Sequence, residues 1–141
     1  MRHLLRQLAV LGIVVGLIWV VTAWPRLNDV ETGKTPEYPD LRPHDYGASI
    51  DTVVRGVKAA ASRVPRFEIV GVGSGPAGSE IQAVKTGWPA PLKYDVSIRL
   101  RRDKGRTLVT VRSKSRALPW DFGENARNIR ELLEALDHEV F

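Results

Sequence analysis

Apolar and polar positions along the chain follow five successive patterns. Residues 7–25, QLAVLGIVVGLIWVVTAWP, are nineteen consecutive uncharged positions. At ~1.5 Å rise per residue they would span about 28 Å as a helix, close to the ~30 Å hydrocarbon core of a bilayer. From Arg26 to His44 there is no period, and prolines, acids and turn formers predict an extended segment. Its apolar residues Leu27, Val30, Tyr38 and Leu41 would pin it to a domain surface; the other reading is a solvated tether. From Ser49 to Val64 the residues Ile50, Val53, Val54, Val57, Ala61 and Val64 form one face of an amphipathic helix. Pro65 stops it.

The period then falls to two. Phe67–Gly73, Glu80–Thr86, Leu92–Arg101 and Arg106–Lys114 read as strands. In the third, Leu92, Tyr94, Val96, Ile98 and Leu100 point one way, and Lys93, Asp95, Ser97, Arg99 and Arg101 the other. In the fourth, Thr107, Val109, Val111 and Ser113 alternate with Arg106, Leu108, Thr110, Arg112 and Lys114. The links Ser74-Gly75-Pro76-Ala77-Gly78, Gly87-Trp88-Pro89 and Asp103-Lys104-Gly105 are short, which predicts an antiparallel meander. Asp121 then caps a helix, with Glu124 at capping-box spacing. Ala126, Ile129, Leu132, Leu133, Leu136 and Val140 form its buried stripe. Arg127 with Glu131, and Arg130 with Glu134, are i,i+4 pairs.

The fold class expected is therefore α+β. An N-terminal transmembrane helix occupies 1–25 and an extended linker 26–47. Over 48–141 a helix, a four-stranded antiparallel meander and a second helix make a two-layer domain, with both helices on one sheet face and the other face polar. Arg2 and Arg6 precede the apolar run, so the amino terminus is expected in the cytoplasm. That makes the chain a single-pass protein of the inner (cytoplasmic) membrane with a periplasmic carboxy-terminal domain. Trp19 and Trp24 suit the far interface. A cleaved signal peptide is the rival reading, since Val21 and Ala23 fit the small-residue rule. Trp24-Pro25 would then follow the scissile bond, where proline is a poor substrate, and the run exceeds the ~7–15 residues of a signal core. Gly12 and Gly16 form a G-x-x-x-G pair that lets another helix approach closely.

Charge sharpens this picture. The net charge is +5, with six acids and two bases from Asp29 to Asp51, and ten bases and two acids from Lys85 to Arg116. A basic half suits anionic lipid, nucleic acid or an acidic protein. A nucleic-acid partner conflicts with an extracytoplasmic domain, and the aromatics are not interleaved with the bases as a stacking platform needs. There is no cysteine, which excludes disulfides and thiolate chemistry. His3, His44 and His138 are scattered, so no metal-ligand spacing and no cofactor motif is present. GVGSGPAG at 71–78 lies between strands without a Gly-Lys-Ser, and reads as a hairpin turn. No catalytic residue is assigned.

One segment carries a surplus of polar groups: Arg106 to Arg130, RTLVTVRSKSRALPWDFGENARNIR. On the polar sheet face Asp95 and Arg99 share one side, and a cross-strand Asp95–Arg112 pair is expected. Arg112, Arg116 and Arg130 would fork onto phosphate or carboxylate as an anion site, assisted by amides at the Asp121 helix start. The alternative is an ion-pair network fixing the last helix. Arg116 with Ser113, Ser115 and Asn125 is expected around one corner on the polar side.

NDVETGKTPEYPD at 28–40, EIQAV at 80–84, YDVSIRL at 94–100 and RSKSRALPWDFGENARNIRELL at 112–133 resemble the family labelled domain of unknown function 1499 (DUF1499), over about Asn28 to Leu136. The resemblance implies a small protein, often membrane-anchored or exported, and confers no mechanism. It marks Asn28, Asp29, Gln82, Asp95, Arg99, Arg112, Ser113, Ser115, Arg116, Asp121, Gly123, Asn125 and Arg130. The chain has Leu92-Lys93-Tyr94-Asp95 where that family often has Phe-Lys-Asp-Asp, so one carboxylate is missing. It has Ala117-Leu118-Pro119-Trp120 where small polar residues or Gly are usual.

Three functions are expected in order. The first is a non-enzymatic anchored subunit or assembly factor of a larger membrane complex, with a photosynthetic or respiratory complex one natural host. It would be contacted through the transmembrane helix and the extracytoplasmic domain. The second is an extracytoplasmic module binding an anionic ligand, such as a lipid headgroup, at Arg112, Arg116 and Arg130. The third is a hydrolase using Asp95 and Asp121.

Overall fold

The structure is a computed structural model that describes residues 1–23 and 26–141. Trp24 and Pro25, counted above with the anchor, lie outside the described residues. Helix α1 runs Arg2–Ala23 with a mean hydropathy of 2.3 and is long and apolar enough to cross a membrane. None of its residues is buried against the rest of the chain.

The domain has six strands rather than four. The meander β3 (Phe67–Gly75), β4 (Gly78–Thr86), β5 (Lys93–Asp103) and β6 (Arg106–Ser115) is antiparallel throughout. Two further strands come from the segment read as a linker: β1 (Asp29–Glu31) and β2 (His44–Tyr46). Both pair antiparallel with β6, end to end along its free edge, giving the order β1-β6-β5-β4-β3 with β2 beside β1. Three-residue strands leave no usable period in a sequence, which is why they were not visible. The pinning reading holds: Val30 and Leu41 are buried, and Tyr38 packs against the core. Thr32 donates its amide to the Val111 carbonyl (2.9 Å) and accepts the Val111 amide on its hydroxyl (3.0 Å).

Helix α2 (Ile50–Arg63) is capped by Ser49, whose hydroxyl accepts from the Thr52 amide. Helix α3 spans Glu124–Val140. Both cover the face formed by Ile81, Ala83, Val96, Ile98, Leu100, Val109 and Val111, the parity that alternation expects. The helices pack closely where Gly56 sits: a Cβ there would meet the Val140 side chain at 2.7 Å. Lys85 occupies the core parity after Ile81 and Ala83. Its buried ammonium donates to the Pro65 carbonyl (2.6 Å) and meets Glu131 (3.0 Å), tying the end of α2 to α3. Glu131 is therefore held by Lys85, not by Arg127. Tyr46, fully buried on β2, donates to Asp137 (2.6 Å), and burial raises its hydroxyl well above its ordinary range.

The entry segment is thus part of the sheet. Val30→Ala removes two buried methyls and should cost roughly 1–3 kcal/mol. Denaturant unfolding of the full chain in detergent measures this, and a solvated tether would show no change.

Candidate functional site

The sheet face turned away from the helices carries the charges that looked like a site. Its register is fixed by the backbone: Asp95 lies opposite Lys114, and Ser97 opposite Arg112. The expected Asp95–Arg112 pair is therefore not made. Parity was right, but the strands are offset by one rung of the same face. Arg112 forks instead onto Asp29 of β1, Nε to Oδ1 at 2.7 Å with Nη2 on Oδ2. Asp95 is forked by Arg116, at 2.6 Å from Nη2 and 3.0 Å from Nε. Arg106 pairs with Asp45 of β2, and Arg99 with Glu80 at 3.6 Å. Gln82 sits between Glu80 and the Ser97 hydroxyl. The guanidinium beside Asp29 holds its carboxyl below the ordinary value of 3.8.

Arg112, Arg116 and Arg130 do not form one anion site. Arg112 and Arg116 engage carboxylates on the outer face. Arg130 stands on α3, on the helical side, where it forks onto Asp40 at 2.8 and 3.1 Å and lies 5.6 Å over the Tyr38 ring. Arg130 thus clamps the entry segment rather than pairing with Glu134. The Asp40 carboxyl is lowered by that hydrogen bond.

The corner cluster also divides. Ser113 and Ser115 have core parity and are buried, while Arg116 points out to Asp95. Ser113 donates to Asn125 Oδ1 (2.7 Å), and Ser115 accepts from the Leu118 amide. Asp121 serves the start of α3, but from two residues before the N-cap position, which Gly123 holds. Its carboxylate accepts from the Gly123 amide (2.9 Å) and the Asn125 amide (2.8 Å). Phe122 and Gly123, at φ 50° and 80°, turn the chain into a helix that begins at Glu124. The reciprocal half of a capping box is absent, because Glu124 pairs with Arg127 (2.9 Å). Asn128 is fully buried on the same stripe, three residues after Asn125; that spacing was readable and was missed. Asp95 and Asp121 fall on opposite sides of the sheet, so no carboxylate dyad is assembled. Among the described residues no cluster of three or more metal-ligating side chains occurs.

Gly12 and Gly16 share one side of α1, and a Cβ added at either meets nothing within 4 Å. The helix is open there to a neighbour.

Comparison with known proteins adds one finding. Residues 20–136 match the model of a family described as a protein of unknown function, DUF1499. No curated protein and no solved structure matches the chain.

Two predictions arise from this geometry. The Asp29–Arg112 fork is half-exposed, so Arg112→Gln should cost only about 0.5–1 kcal/mol at pH 7. A carboxyl lowered by folding stabilises above its unfolded value and loses that contribution as pH falls through its folded value. The difference between parent and variant should accordingly shrink as the pH falls below 3.8 and vanish only once it lies below the lowered folded value, as read by denaturant midpoints. Asp121→Ala leaves two amides at the α3 start without acceptors and should cost about 1–2 kcal/mol in the same measurement.

Proposed function

The chain belongs to the DUF1499 family, and from that premise we propose that it is a non-enzymatic, single-pass membrane-anchored accessory subunit or assembly factor of a larger membrane complex. The observation that carries this reading is α1: 22 residues, strongly apolar, with none packed against its own domain. Apolar side chains in this quantity need lipid or another helix around them. The bare Gly12/Gly16 side supplies a close-approach surface for such a helix. Arg2 and Arg6 before α1 favour a cytoplasmic amino terminus and a periplasmic domain.

The domain suits scaffolding better than chemistry. On its outer face Arg99, Arg106, Arg112 and Arg116 are taken up by the domain's own carboxylates, which stiffens the sheet. A ligand anion at Arg112 or Arg116 would have to displace Asp29 or Asp95.

Extraction of the tagged full chain in mild detergent should retain a stoichiometric membrane-protein companion. Gly12→Leu with Gly16→Leu should reduce that companion about tenfold, the equivalent of a lost ~1.4 kcal/mol helix contact. A free monomer, or a companion indifferent to both leucines, contradicts the reading.

A further inference from the structure

One end of the sheet is tied to the anchor by covalent length. Ala23 ends α1, and the Leu27 carbonyl already accepts from the Asp121 amide at 3.0 Å. The four peptide steps between them reach at most about 14 Å. A continuous rung of backbone hydrogen bonds then crosses this end of the sheet. The Ser115 amide donates to Asn28, the Arg116 amide to Lys93, and the Thr86 amide to Arg66, while Thr86 and Lys93 are register partners. At ~4.8 Å between strands the rung extends roughly 19 Å from the tether. The turns Gly75–Gly78 and Asp103–Arg106 lie at the opposite end.

The side chains of this rim combine unpaired cations with exposed aromatic and apolar groups. Arg26, Arg66 and Lys93 have no carboxylate within 4.0 Å among the described residues. On the outer face Arg99, Arg106, Arg112 and Arg116 are each paired, while Arg101 and Lys114 are not, among the described residues. Two of these rim cations lie beside aromatic rings, with Arg66 5.9 Å over Trp88 and Arg26 5.9 Å over Trp120. In the domain, six large apolar side chains are exposed by more than a third, and three of them are here: Trp88 at 75%, Phe122 at 42% and Leu118 at 37%. Exposed indole and apolar groups interleaved with uncompensated cations, at a fixed short distance from a membrane span, match the chemistry of an anionic headgroup layer.

We propose that this rim seats the domain on anionic phospholipid headgroups of the membrane in which α1 is embedded, with Trp88, Leu118 and Phe122 in the interface and Arg26, Arg66 and Lys93 on headgroup phosphates. The inference rests on the anchored reading above. The covalent tether supplies a high local lipid concentration, so the individual contacts can be weak and still keep the domain seated.

The cysteine-free chain allows single fluorescent labels on the full-length protein in nanodiscs. Labels at Ala90→Cys and Ala117→Cys report the rim, Lys104→Cys the far turn and Ile13→Cys the span. With a nitroxide on the lipid headgroup, the rim labels should be quenched at least about threefold more than the label at 104 in phosphatidylglycerol discs. That excess should fall at least about twofold in phosphatidylcholine discs, or in the triple variant Arg26→Gln, Arg66→Gln, Lys93→Gln. Quenching at 90 and 117 equal to that at 104 overturns the seating. Equal excess in both lipids, or in the variant, overturns the anionic recognition. The label at 13 should respond to a mid-chain nitroxide; if it does not, the anchored reading fails separately.

Discussion

The architecture depends on how the entry segment docks along β6. Asn28 through Thr32 and then His44 through Tyr46 satisfy the edge of that strand, which would otherwise expose unpaired amides and carbonyls. Val30, Leu41 and Tyr46 bring apolar side chains under the same edge and into the core. Arg112–Asp29, Arg106–Asp45 and Arg130–Asp40 are cross-links between this segment and the body of the domain. A piece of chain with the composition of a tether is thus a structural wall. Because Leu27 is held on Asp121, the four peptide steps back to Ala23 keep that end of the sheet within about 14 Å of the end of α1.

The same docking accounts for most of the polar groups that resemble a site in sequence. Asp29, Asp40 and Asp45 of the acidic entry segment each meet an arginine of the later chain, Arg112, Arg130 and Arg106. The end of the sheet next to the anchor stands apart because its unpaired cations Arg26 and Arg66 lie against the rings of Trp120 and Trp88. Function in this fold is argued from that residue set and from α1, since a two-layer α+β domain by itself implies none.

Periodic elements were legible. The alternation of β5 and β6 assigned Tyr94, Val96, Ile98 and Leu100 to the core, and Lys85 follows from the parity of Ile81 and Ala83. The stripes of α2 and α3 emerged in position, but the buried faces also take in Gly56, Ala60, Asn125 and Asn128. Partner choice was not legible, because parity leaves the register open by steps of two: Arg112 found Asp29 and Arg116 found Asp95. Nor did local spacing predict that Glu131 and Arg130 would each answer a distant residue, Lys85 and Asp40, instead of a helical neighbour. Those outcomes are set by tertiary packing. The grouping of Arg116 with Ser113, Ser115 and Asn125 failed because Ser113 and Ser115 keep the inward parity of Val109 and Val111, while Arg116 keeps the outward parity of Arg112 and Lys114.

Amide hydrogen exchange of the full chain in lipid nanodiscs tests the docking of the entry segment most directly. Val111, Ser115 and Asp121 donate to Thr32, Asn28 and Leu27, while Thr32 donates back to Val111. These four amides should exchange as slowly as those in the β5–β6 ladder, opening only with the global unfolding of the domain. Fast exchange at Thr32, Ser115 and Asp121 beside a protected β5–β6 pair would show that the segment is a loose tether, and the account would be wrong.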